Sequence, residues 1–82
     1  MPDLKNLSLR FTGSESVRAR RKELGLNQNA FWRRVAVTQS AGSRYESERD
    51  IPEPIQLLLQ LAYGSDEDAR ELLAALRASS PE

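Results

Sequence analysis

The sequence predicts an all-α domain: a compact bundle of five short helices behind a short N-terminal arm. Three observations carry that reading. Apolar residues recur three, four or seven apart in separate segments, the spacing of one helix face. These segments are punctuated by Ser, Asn or Thr in front and by Gly or Pro behind, the residues that start and stop helices. Period-two alternation, the mark of a strand, is confined to one stretch near the N-terminus.

Residues 1–14 form the arm. Within it "LSLRF" alternates Leu7, Leu9 and Phe11, a pattern that suits a short strand with one buried face, a self-pairing segment in a dimer or a loose lead-in. The domain proper spans 15–78. "SESVRARRKELGL" is the first helix, with Ser14 or Ser16 as cap, Val17 and Leu24 on one face and Gly25 as a left-handed stop. "NQNAFWRRV" is the second, with Asn27 as N-cap and Phe31 and Val35 turned inward. Thr38 caps a third helix that runs to about Ser47, and Tyr45 and Leu24 are assigned to the core.

The break "DIPEPIQ" ends the third helix, because two prolines two apart cannot continue it, while Pro54 suits the first turn of the next. The fourth helix, "PIQLLLQLAY", is apolar nearly all round and so wants more than one neighbour; Gly64 closes it. In "SDEDARELLAALRA" Ser65 is the cap, three acids fill the positive first turn, and Ala69, Leu72, Leu73 and Leu76 make one stripe. Residues 79–82 are a tail. The second and third helices are linked by three or four residues, which is helix-turn-helix spacing.

Composition narrows the function classes. The chain has 82 residues, 39% hydrophobic and 29% charged, enough for one small domain with a thin core, so stability is expected to draw on a partner or a dimer. It has no Cys and no His, which removes disulfides, thiolate chemistry and the commonest general base and metal ligand. Its apolar runs are too short for a membrane span and the N-terminus lacks a signal-peptide layout, so a cytoplasmic protein is expected. Residues 1–49 hold ten Lys or Arg against five acids, while 50–82 hold two against seven. The basic half is a candidate nucleic-acid face; the alternative is an ordinary solvated surface.

"ELGLNQ", "VAVTQS" and "SRYES" together resemble the helix-turn-helix of the lambda-repressor and Cro-like group, the Xre family, over roughly residues 16–64. The resemblance implies that the third helix enters the major groove and the second crosses above it. By the same resemblance Gln39, Ser40 and Arg44 read bases, with Ser43 on the same outer face; Gln can grip adenine and Arg guanine. Asn27 and Gln28 match phosphate-contacting residues, and Thr38, Arg49 and Arg33 or Arg34 are further phosphate candidates. Arg21 and Glu46 match a basic–acidic pair between the first and third helices.

Departures from the family pattern point to a repacked motif. Trp32 stands where Ala is usual, Ala36 where the turn usually has Gly, Gly42 where the third helix usually has Val or Ile, and Glu48 where Gly usually follows. Trp32 and Gly42 read as an exchange of volumes, a large ring facing a hole; the competing reading is an exposed Trp32 that binds a ligand and a Gly42 that softens the helix. Ala36, if left-handed, is strained by roughly 1–2 kcal/mol.

The function expected is a sequence-specific DNA-binding transcriptional regulator, a homodimeric repressor acting on a palindromic operator in double-stranded DNA. Stand-alone members of the family govern their own operons in phages, plasmids or bacteria, and some accompany anti-CRISPR genes. Leu57, Leu61, Leu72 and Leu76 are the dimer candidates. No cofactor, metal or small-molecule ligand is expected, and no enzyme activity: apart from "DED" at 66–68, which suits a helix start, no acids are spaced as a dyad. The rival reading is an antitoxin or adaptor that binds a partner protein through the fourth and fifth helices.

Overall fold

A computed structural model describes residues 8–47 and 50–78. Five helices follow in the order α1 (Ser14–Leu24), α2 (Gln28–Arg33), α3 (Gln39–Ser47), α4 (Glu53–Tyr63) and α5 (Asp66–Ala78). No strand is formed among the described residues.

Side-chain caps set several of the starts. The Asn27 side chain accepts from the Ala30 N–H at 2.8 Å, the Thr38 hydroxyl oxygen from the Ala41 N–H at 3.2 Å, and the Ser65 hydroxyl oxygen from the Asp68 N–H at 3.0 Å. Each satisfies a backbone donor that the first turn cannot. The first helix differs from expectation: its N-cap is Gly13, with no side-chain cap bond. The Ser16 hydroxyl donates to the Gly13 carbonyl instead.

Two helices end in the same way. At the end of α1, Gly25 (φ 71°) donates to Lys22 O and Leu26 to Arg21 O. After α2, Ala36 (φ 62°) donates to Arg33 O and Val37 to Trp32 O. Both are paired closures around a left-handed residue; the second uses an alanine where glycine has no steric penalty.

Phe11, Val17, Phe31, Trp32, Val35, Val37, Ile51, Leu59 and Tyr63 form the core. Phe31 stacks on Tyr63 with ring centroids 4.1 Å apart and meets Trp32 edge-on at 5.3 Å. The buried Tyr63 hydroxyl donates to the Phe31 carbonyl at 2.6 Å. Gln60, also buried, accepts from the Arg10 N–H at 2.8 Å and donates to the Ser8 carbonyl at 3.3 Å. An amide side chain therefore takes the place of a neighbouring strand for residues 8–10, and Phe11 is seated in the core. The "LSLRF" stretch is thus not a strand over its described part; Leu7 lies outside the described residues.

Three other expectations change. Leu24 is 40% exposed, not core: it is the last residue of α1. On α5 the buried residues are Leu72 and Ala75, whereas Leu73 is exposed. Leu72 is fully buried within the domain, which removes it from the dimer candidates; Leu57, Leu61 and Leu76 are half-buried. The tail 79–82 lies outside the described residues.

Candidate nucleic-acid interface

Glu46 is the centre on which the helix-turn-helix is hung. It lies on α3, 3% exposed, and an isolated buried carboxylate would be strongly unfavourable. It is not isolated. Arg21 Nε of α1 donates to both of its oxygens at 2.9 and 3.1 Å, Trp32 Nε1 of α2 donates to Oε2 at 2.7 Å, and Gln28 Nε2 donates to Oε1 at 3.3 Å. Burial pushes its carboxyl pKa up, but the hydrogen bonds from Arg21, Trp32 and Gln28 outweigh it, and the group is held below the ordinary carboxylate range. Arg18 of α1 donates to the Glu46 carbonyl, a cation at the end of α3, and Arg20 donates to the Tyr63 carbonyl at 2.9 Å at the end of α4. Three arginines of the basic half therefore serve the fold. Sequence reasoning matched Arg21 to Glu46 through the resemblance but counted Arg18 and Arg20 in the surface charge; the only local signal of those two is their place on a helix that has few apolar residues.

Trp32 is fully buried, so the exposed-tryptophan reading falls. Its ring lies on Gly42: a Cβ there would stand 2.3 Å from its Cγ and Cδ1 atoms. Tyr45, half-buried, packs on the same ring at 5.7 Å. The three tied residues of α3, Gly42, Tyr45 and Glu46, leave its opposite side outward. There Gln39, Ser40, Ser43 and Arg44 are exposed, and with Gln28 they line one surface depression.

Donor groups lie on Arg44 of the depression and on neighbouring residues of α2 and the turn. Asn27 Oδ1 and the Thr38 hydroxyl oxygen are engaged as caps, which leaves the Asn27 amide N–H groups and the Thr38 O–H to donate outward. Arg44 and Arg33 are exposed and carry only donors. Arg34 sits over the Tyr63 ring, 5.5 Å from its centroid. Arg49 lies outside the described residues. These donors suit phosphate oxygens, which are acceptors only, while Gln39, Ser40 and Ser43 carry both donors and acceptors, as base edges do.

Residues 18–62 match the family model of the RsaL-like HTH domain. The chain belongs to the RsaL-like helix-turn-helix domain family. The match takes in α2 and α3 and the Arg21–Glu46 pair, and supports a helix-turn-helix DNA-binding domain; it does not single out the lambda-repressor and Cro-like group. Neither a curated protein nor a solved structure matches this RsaL-like chain. Among the described residues no helix is long and apolar enough to cross a membrane.

Proposed function

We propose that this RsaL-like domain is a sequence-specific transcriptional repressor that binds a palindromic operator as a homodimer, with α3 in the major groove. The observation that carries the reading is the depression lined by Gln28, Gln39, Ser40, Ser43 and Arg44, formed by the outer face of α3 and the start of α2. Gln39 and Arg44 have the chemistry to read adenine and guanine, with Ser40 and Ser43 between them. Asn27, Gln28, Thr38, Arg33 and Arg49 are the proposed phosphate contacts. One copy presents one α3 and so reads a half-site; a palindrome needs two. Leu58 on α4 and Leu73 on α5 are large exposed apolar residues, and with Leu57, Leu61 and Leu76 they favour a protein contact on these helices. We assign that contact to a second copy; a partner protein of antitoxin or adaptor type is the other occupant.

Selection of bound duplexes from random-sequence DNA, followed by footprinting upstream of the protein's own gene, tests the proposal. The expected result is an enriched inverted repeat whose half-site centres lie about 34 Å apart, or a multiple of that, and protection of that repeat. No enriched sequence, or a single asymmetric site bound by monomer, would overturn it.

A further inference from the structure

Gln28 is the one residue of the depression that also touches the buried hub. Its side chain is half-buried and its Nε2 donates to Glu46 Oε1. Glu46 itself has no freedom to turn: Arg21 bridges both oxygens and Trp32 holds Oε2. A fixed carboxylate selects the orientation of a neighbouring amide. With Nε2 toward it, Gln28 gains a charge-assisted hydrogen bond; flipped, it would set Oε1 against a negative oxygen. We propose that Glu46 is a positioning residue for DNA binding, its charge orienting the Gln28 amide so that the second Nε2 hydrogen is offered to a DNA phosphate. Resting as it does on the DNA-binding reading above, this deepens it by assigning a buried acid a part in DNA affinity. Removing the charge frees the amide to present Oε1 to the phosphate, acceptor against acceptor, and the contact is lost although Gln28 is still there.

The same logic links the three polar residues at the two helix starts. Asn27 and Thr38 are oriented by backbone N–H groups acting on their oxygens; Gln28 is oriented by a carboxylate acting on its nitrogen. Of the three, only Gln28 depends on another side chain, so only its contact can be switched off by a distant substitution.

The test is a double-mutant cycle on the selected operator, using Gln28→Ala, Glu46→Gln and the pair, with Arg44→Ala measured in both Glu46 backgrounds. In the wild-type background Gln28→Ala should weaken binding roughly tenfold or more, the size of a charge-assisted hydrogen bond. In the Glu46→Gln background it should change binding less than about twofold, because the contact is already gone. The Arg44→Ala factor should be the same in both backgrounds; a mere loosening of α3 would shrink it along with the rest. An equal Gln28→Ala factor in both backgrounds overturns the positioning role and leaves DNA binding standing, whereas a wild-type protein that selects no DNA overturns both. Should Glu46→Gln not fold, the Gln28 side-chain amide of the wild-type protein supplies the measurement by NMR. Amide protons that shift with the Glu46 carboxyl titration support the proposal; protons with free-glutamine shifts and exchange rates overturn it.

Discussion

Gly42 is where the indole of Trp32 needs room, and no side chain larger than hydrogen fits between them: a Cβ would lie 2.3 Å from two ring atoms and 2.7 Å from a third. The ring is buried, edge-packed on Phe31 and tethered to Glu46 through Nε1, so it cannot swing aside. Glycine inside α3 carries a helix-propensity penalty of about 1 kcal/mol relative to alanine, offset by the burial of the largest side chain in the domain.

Trp32→Ala should cost about 3–5 kcal/mol through the cavity it opens. Gly42→Val should cost at least about 1–3 kcal/mol through overpacking, despite the helix propensity it gains. The two together should cost clearly less than their sum. Urea melts of the four proteins measure this; additive losses would refute the exchange of volumes.

Ala36 and Gly25 close their helices with the same pair of hydrogen bonds and nearly the same φ, 62° and 71°. Ala36→Gly should therefore be neutral or stabilise by up to about 1 kcal/mol, relief of strain outweighing the looser unfolded chain. Gly25→Ala should destabilise by about 1–2 kcal/mol. Thermal melts that moved both variants in the same direction would contradict the shared geometry.

Glu46 should make the fold sensitive to acid. Its pKa is lowered in the folded state, so the stabilisation is complete above the unfolded value, about 4.3, and is lost as pH falls through the folded value. Urea midpoints taken from pH 7 to pH 3 should fall in this range, and Glu46→Gln should lower stability at pH 7 while flattening the profile. Asp68 is also lowered, by its hydrogen bond from Arg10. That pair is at the surface, with Arg10 mostly exposed, so Asp68→Asn should change the profile little.

Reading and holding should separate. Arg44→Ala is expected to cost about 1–3 kcal/mol on the operator and much less on random DNA. Gln28→Ala should weaken both by similar factors with an unchanged salt slope, while Arg49→Ala should lower the slope by about one per monomer. Fluorescence anisotropy across a salt series resolves all three. An equal effect of Arg44→Ala on both DNAs would make it a backbone clamp, with specificity resting on Gln39, Ser40 or DNA shape.

Light scattering should show a dimer at tens of micromolar, and Leu58→Glu or Leu73→Glu should shift it toward monomer with little loss of stability, since both side chains are exposed. Leu72→Glu should instead unfold the domain, because that side chain is fully buried.

Local chemistry was legible in the sequence at most places where the partner lay within one turn, the start of α1 at Gly13 being the exception. Asn27, Thr38 and Ser65 cap as their positions imply, and the left-handed backbone at Gly25 and Ala36 follows from the stop and turn patterns. The Trp32–Gly42 contact was legible too, since two departures from one pattern had complementary volumes. What spacing could not give were the limits of faces and, outside the Arg21–Glu46 pair that the resemblance implied, the partners of distant polar groups. Spacing put Leu24 with Val17, but nothing in the spacing says how far along α1 its neighbours extend. Leu73 fits the α5 stripe as well as Ala75 does, yet only Ala75 is buried beside Leu72. Gln60 looks like a polar interruption in an apolar run, and its partners lie 50 and 52 residues away.

Gln60 also bears on the order of assembly, through the separation of its partners in the chain. Ser8 and Arg10 leave the ribosome well before Gln60 of α4, which binds them from 52 and 50 residues further on. Until α4 is made, the Arg10 N–H and the Ser8 carbonyl lack their Gln60 partner, and Phe11 lacks the Leu59 and Tyr63 part of its core cluster. Helices α1 to α3 hold one another through local and medium-range contacts, whereas closing the N-terminal segment onto Gln60 requires a long loop and brings its contacts only at the end. Residues 8–11 are therefore expected to find their place late in synthesis, held by the Gln60 amide on α4 and by the Arg10–Asp68 pair on α5.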